Sequence, residues 1–338
     1  FDPDWNRGNT VLMHKEPHGI WRVDYQLPKG ESPEEALQPE RLKARIDAQL
    51  AMIGHPGIAW ELDWSSVYSA RTLTLPSYSQ GRVQFVGDAA HLVPIFGVRG
   101  ANTAFQDAQS LGWHLAWVCR GWAGASLLSN FSAERVGAAR EIIEEAGKSV
   151  RFMTPPSMGH EWVRNAVLSL SLTEAFVRPL YHWRTSRPHE YTHSSLNASD
   201  DQDARFTVGP AHGATAMNVR LGDETHLLDH LGGGFDLLWF STLPVADAVL
   251  KELAVWRAQS WPIRVVAISR EKTPVPGADV SLWDDLGRAR TIYGVESESA
   301  AYPAYLLRPD QHVCGRWQDL NVPSLAKVLR QIAQELKP

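Results

Sequence analysis

The chain has 338 residues, 44% hydrophobic and 21% charged, with a formal net charge of -5. That is the profile of a soluble globular protein long enough for two domains, and its sign disfavours nucleic acid or an acidic membrane surface as partner. Two cysteines, Cys119 and Cys314, exclude a disulfide framework and a C-x-x-C pair, no run of 18 apolar residues is present, and a reducing, cytoplasmic setting is expected.

The N-terminal "FDPDWNRGNT" lacks the basic start and apolar middle of a signal peptide and does not begin with Met, so a processed or partial product is expected. Residues 11–27 predict two strands around a turn at Pro17–Gly19. Alternation in the second puts Ile20, Arg22, Asp24 and Gln26 on one face and Trp21, Val23, Tyr25 and Leu27 on the other. Leu37, Leu42, Ile46, Leu50 and Ile53 predict a helix over 34–53, and "WSSVYSARTLTL" over 64–75 a strand. Helices follow from about Asn102 to Arg120 and from about Leu127 to Met153, then a polar, Ser-rich, acidic linker over 185–204.

After the linker the pattern changes. A buried strand (235–241), a helix with Pro in its first turn (244–259), a strand (263–269), a helix (282–294), a hairpin turning near Pro309–Asp310 (304–317) and a last helix (323–336) follow in the order of a thioredoxin-like domain. "GGGF" at 232–235 precedes a strand and reads as a turn.

The most informative stretch is "GRVQFVGDAAHLVPIFGVRGANTAFQDAQSLGWHLAWV", Gly81 to Val118. A short apolar strand ends in Gly87–Asp88. A glycine there permits close approach to the backbone, and an acid at a strand's carboxyl end is placed to accept hydrogen bonds from sugar-like hydroxyls. Gly97 and Gly100 can take backbone angles closed to other residues. Asn102 suits the start of the next helix, whose free N–H groups and positive dipole end stabilise negative charge on a ligand.

The stretch resembles the second flavin-binding motif of the FAD-dependent aromatic hydroxylases, the class A flavoprotein monooxygenases. It matches gap-free at Gly81, Arg82, Val83, Gly87, Asp88, Ala89, Ala90, His91, Pro94, Gly97, Gly100, Asn102, Asp107, Ala108, Leu111, Trp113 and Leu115, and departs at Ile95, Ser110 and His114. "WRVDYQLPKGESPEEALQPERL" is similar to the substrate-domain sheet of the phenol hydroxylase and 3-(3-hydroxyphenyl)propionate hydroxylase branch. "LLDHLGGGFDLLWF" resembles the entry to that branch's C-terminal thioredoxin-like domain.

The resemblance implies an α/β fold: an α+β substrate sheet (1–80) and a flavin-binding segment with its helices (81–184), then the linker and a thioredoxin-like α/β domain (205–338). It implies that Asp88 binds the ribityl chain of FAD and that Gly87 and Gly97 shape the turn. Gly100, Ala101 and Asn102 would present amides to the flavin's pyrimidine edge, and Pro94 would lie beside the flavin with its carbonyl near the substrate. The implied activity is hydroxylation of a phenolic ring with O2 and NADH or NADPH. The family's G-x-G-x-x-G turn for the FAD pyrophosphate is absent from these residues, so the chain is expected to be the C-terminal part of a larger enzyme.

Arg22 and Gln26 on one strand face, or Tyr25 on the other, are the candidate substrate contacts; a solvated or core-packing strand is the alternative. His91 reads equally as a ligand contact or a structural histidine. Asp107 reads as a brace for the loop, Trp113 and Trp117 as core, and Arg151, Arg164 and Arg178 as solvated. No zinc spacing is present. The thioredoxin-like domain has no thiol in "FSTLPVADAV" after its first strand and is expected to be redox-inactive, with Pro303 at the family's cis-proline position. Expected partners are a phenolic substrate, an N-terminal segment of the same enzyme and a second copy in a homodimer. Two other readings are a flavin halogenase or quinone hydroxylase, and a non-catalytic remnant serving as an interaction module.

Overall fold

The computed structural model describes residues 2–94, 99–181, 188–197, 205–295 and 302–335. The chain opens with strands β1 (Val11–Lys15) and β2 (Trp21–Tyr25), an antiparallel pair in which Val11 faces Tyr25 and Lys15 faces Trp21. The predicted turn at Pro17–Gly19 joins them, with His18 at φ 61°. The helix expected over 34–53 is two helices, α1 (Pro33–Ala36) and α2 (Pro39–Met52). Pro39 lacks the N–H that would continue α1, and it suits the first turn of α2. Ser32 and Glu35 close a capping box on α1.

The strand expected over 64–75 is a strand only at β3 (Leu73–Thr74), which pairs with β6 (His91–Leu92). Between them lies a hairpin of β4 (Ser79–Gln80) and β5 (Val83–Gln84). Two long helices follow, α3 (Gly100–Cys119) and α4 (Ser126–Met153), then α5 (Met158–Leu170). Helix α3 begins at Gly100, two residues before the predicted start. Arg151 and Arg178 are exposed as expected, but Arg164 on α5 is buried, at 5% exposure.

The C-terminal region builds one five-stranded sheet from β7 (Phe235–Trp239), β8 (Ile263–Ser269), β9 (Val280–Trp283), β10 (Ala304–Leu307) and β11 (Val313–Trp317), in the order β11-β10-β7-β8-β9. β7, β8 and β9 are parallel; β10 runs antiparallel to β7, and β11 to β10. Helices α6 (Asp247–Ala258), α7 (Arg288–Ile292) and α8 (Val322–Glu335) complete it. The helix expected over 282–294 is in part the edge strand β9, with only the short α7 after it. Asp284 decides the break: its carboxylate accepts from the backbone N–H of Arg288 and Ala289 at 2.9 Å each, which caps a new helix. The expected cis-proline is also corrected: no cis peptide occurs among the described residues, and Pro303 is trans, its carbonyl accepting from Phe240 N at 2.9 Å.

Every residue of β7 is buried, because both faces of the sheet are covered. Phe235, Leu237 and Trp239 look into one core with Leu253 of α6 and Leu325, Leu329 and Ile332 of α8. Leu238 and Phe240 look into the other, with Tyr293 and Tyr305. The first core also contains Trp113 and Trp117 of α3 and Leu127 of α4, so the sheet and the helices after the Gly-Asp turn share it. Trp117 meets Phe235 and Trp261 edge-on, each at 5.4 Å between ring centroids.

Backbone contacts divide the chain into two compact units. One comprises residues 1–72, 93–99 and 143–185, and the other 73–92, 100–142 and 186–338. The β1–β2 hairpin lies in the first; the Gly-Asp turn, α3 and the five-stranded sheet lie in the second.

Candidate flavin site

The site is built on a turn. After β5 the chain stays extended through Val86, then makes one tight turn at Gly87–Ala89, closed by Ala90 N to Gly87 O at 2.8 Å. Gly87 sits at φ 57°, where side chains are strained, and a Cβ there would meet the Cβ of Ala104 on α3 at 3.3 Å. Glycine is required both by the backbone angle and by the close approach of the helix.

Asp107, fully buried on α3, holds this turn from behind. It accepts from Gly87 N at 3.0 Å, from His91 Nε2 at 2.7 Å and from Arg135 Nε at 2.6 Å. Burial alone would raise its pKa; the His91 bond, the Arg135 charge and the Gly87 amide together hold it below the ordinary carboxylate range. Arg135, from α4, also donates to Tyr191 Oη at 2.9 Å and to the Thr103 carbonyl at 3.3 Å. Asp107 is therefore the brace expected of it, and His91 is a buried member of the brace. Arg135 and Tyr191 were not legible, since they lie 28 and 56 residues along the chain from the groups they bind.

Two things are left open to solvent. Asp88, next to Gly87, is exposed and has no hydrogen-bond partner among the described residues. The first turn of α3, at Gly100, Ala101 and Asn102, is half-buried to exposed, at the positive end of a 20-residue helix. An unpaired acid and an accessible helix N-terminus in one unit, beside a turn where only glycine fits, suit a ligand with polyol hydroxyls and an electron-rich ring. FAD meets that description. Pro94 is buried, and Gly97 lies outside the described residues.

The candidate substrate residues lie on β2 and just after it, in the other unit. Arg22 is half exposed and pairs with Asp24 on its own face at 2.8 Å. Tyr25 packs edge-on against Trp5 at 5.4 Å, with the Arg45 guanidinium 5.3 Å from its ring centre. Gln26 is engaged at both ends, donating to Thr154 Oγ1 at 3.1 Å and accepting from Thr10 N at 3.2 Å.

A second buried node was not foreseen. Arg308, after β10, is wholly buried and grips Glu134 of α4 at 2.6 and 2.9 Å and Asp310 at 2.6 and 3.1 Å. Trp113 Nε1 donates to Asp310 at 3.0 Å, and the Trp113 and Tyr191 rings each lie 5.4 Å from the guanidinium. Burial would raise the Asp310 carboxyl, but Arg308 holds it well below the usual range. From sequence alone, "RPD" reads only as a hairpin turn.

The turn, its brace and the helix N-terminus form the candidate flavin site. Residues 6–146 match the family described as FAD binding domain. The chain is 27% identical over 319 residues to the 3-(3-hydroxy-phenyl)propionate/3-hydroxycinnamic acid hydroxylase of Mycobacterium avium (strain 104), a match covering 92% of this chain and 53% of that protein. It is 24% identical to the enzyme of the same name from Escherichia coli O157:H7, covering 94% and 56%. Among solved structures, RebC-10x with bound 7-carboxy-K252c is similar at TM-score 0.61 and 25% identity, covering 86% of this chain and 52% of that one. The flavin-dependent monooxygenase PieE, in complex with FAD and substrate, shares the fold at TM-score 0.69 and 22% identity, covering 97% and 59%. In sequence and fold the chain is similar to these FAD-dependent proteins, and it spans about half the length of the curated relatives it matches.

Proposed function

We propose that this chain supplies the flavin-gripping and substrate-facing part of an FAD-dependent aromatic-ring monooxygenase that uses NADH or NADPH and O2 on a phenolic substrate. The observation that carries the reading is the Asp107 brace, which fixes the Gly87–Asp88 turn and leaves the Asp88 carboxylate without a partner among the described residues. FAD, when bound, supplies the redox chemistry and the oxygen transfer. Asp88 would accept hydrogen bonds from the ribityl hydroxyls. The first N–H groups of α3, at Gly100–Asn102, would stabilise negative charge on the ring. Pro94 would offer its backbone beside flavin and substrate, Gly97 would shape the loop, and Arg22 and Gln26, or Tyr25, would orient the phenol.

Oxygen transfer of this kind needs an electron-rich ring, which is the reason for a phenol. The 3-(3-hydroxy-phenyl)propionate hydroxylases among the relatives support the same class. The test is a substrate-depletion screen of the full-length protein that contains this chain, with NADH and NADPH over neutral and acidic phenols. A hydroxylated product is expected; NAD(P)H oxidation with no hydroxylated product across the panel would sink the phenol assignment.

The division into a substrate sheet (1–80), a flavin segment (81–184), a linker (185–204) and a C-terminal domain (205–338) belongs to the same proposal, as does a cytoplasmic setting. We read the last domain as thioredoxin-like. What supports this is the central β7–α6–β8 unit, followed by the β10–β11 hairpin and α8. No cysteine lies directly after β7, and burial pushes the Cys314 thiol far up, so its role would be packing.

A further inference from the structure

A pocket of about 230 Å³, partly open to solvent, lies within the second unit, beside the middle of α3 and the β10–β11 turn, lined among others by Gln109, Ser110, Arg135, Tyr191, Leu228 and His312. It is many times the roughly 10–15 Å³ that admits one water. Asp88 and the first turn of α3 are not among its walls.

Three observations describe what would fill it. Ser110 is 3% exposed, and its Oγ has no hydrogen-bond partner among the described residues. An unpaired buried hydroxyl costs roughly 1–3 kcal/mol, which an occupant with a polar oxygen would offset. Tyr191 Oη accepts from Arg135, and its own hydrogen finds no acceptor among the described residues. Burial pushes its pKa up to about 12, so the hydroxyl keeps that hydrogen at neutral pH. The Tyr191 ring lies against the His312 imidazole, centroids 4.4 Å apart, and with Leu228 it gives the cavity a partly apolar, aromatic lining.

The charges beside it are already matched. Arg135 is paired with Asp107, and Arg308 with Glu134 and Asp310. Asp310 accepts from Arg308, Trp113 and His312. His189, also on the wall, is paired with Glu141. Among the described residues of its wall, no carboxylate is left over for a cation and no guanidinium for an anion. We propose that this cavity is a second binding site, for a neutral, flat, ring-sized molecule that presents an oxygen to Ser110 and Tyr191. The inference does not rest on the flavin reading.

The test is calorimetric titration of the chain with catechol, benzoate and benzylamine, which share a ring and differ in charge. Catechol is expected to bind at least about tenfold more tightly than either charged ring, since a buried unpaired charge costs far more than that. Ser110→Ala should weaken catechol by about threefold to tenfold, the worth of one hydrogen bond. Ser110→Leu should fill the cavity and abolish that binding, while Asp88→Ala leaves it unchanged. Thermal midpoints verify that the variants fold, and Ser110→Ala decides if Ser110→Leu does not. Absence of catechol binding, equal binding of the charged rings, or catechol affinity unchanged in Ser110→Ala would overturn the proposal.

Discussion

At the scale of single residues, the Gly-Asp turn separates two jobs that the sequence writes side by side. Gly87 makes the turn, and Asp88 is left free by it. Asp88→Ala in the full-length protein is expected to weaken FAD by roughly ten- to hundredfold, the worth of a charge-assisted hydrogen bond of about 1.5–3 kcal/mol. Fluorescence titration checks it, and an unchanged dissociation constant would remove Asp88 from the site. Gly87→Ala should act differently. Its positive φ and the 3.3 Å approach to Ala104 make it a folding defect of about 1–3 kcal/mol, visible in urea denaturation without FAD.

Acid should undo the same region in stages. Burial holds His114 neutral, with its pKa below the ordinary value near ~6.5, so the unfolded chain takes up a proton there that the folded one refuses. Stability is therefore expected to fall as the pH drops below that range. Asp107, Glu134 and Asp310 all have lowered pKa values, each because cationic partners outweigh burial. Their contribution is present above the unfolded carboxylate range near ~4 and is lost as the pH falls through their folded values. Urea midpoints measured from pH 7 to pH 3 should decline throughout; a flat profile would mean that these groups are not buried as described.

At the scale of elements, α3 ties the flavin turn to the C-terminal sheet. Its first turn faces the candidate flavin site, Asp107 braces the Gly87 turn, and Trp113 and Trp117 enter the sheet's core. Arg308 adds a polar lock to that apolar contact. Replacing it by Met leaves Glu134 and Asp310 buried without their cation and should cost about 3–5 kcal/mol. Substituting all three by apolar residues of similar volume should cost much less, and equal losses would refute the ion-pair account. The sheet domain is also expected to lack thiol–disulfide activity, because Cys314 is buried in β11 and no cysteine lies directly after β7. Reduction of insulin by the purified chain would contradict this.

At the scale of the whole molecule, the chain has the proposed ribityl acceptor Asp88 and a helix N-terminus but no G-x-G-x-x-G turn for a pyrophosphate. The 338 residues alone are therefore expected to hold FAD weakly. A longer chain that also carries such a turn should purify yellow. Stoichiometric FAD retained by this chain through dialysis would show that the Asp88 turn and α3 suffice.

Short-range grammar was legible in the sequence for local reasons. A glycine before an acid at a strand's end, proline in a first turn, alternation in β2 and helical spacing in α3 are each set by neighbours a few residues apart. The Gly81–Val118 motif carried the flavin reading, and Asp107 could be read as a brace because its spacing from Gly87 belongs to that motif. Only the tertiary structure decided what Asp107 holds on to, that Gln26 is engaged by Thr10 and Thr154, that β9 is a strand at all, and that Arg308 is buried. The reason is physical. A strand forms where a neighbour completes its ladder, and a charge is buried where partners from distant segments meet it, and neither the ladder nor the meeting is written in local spacing.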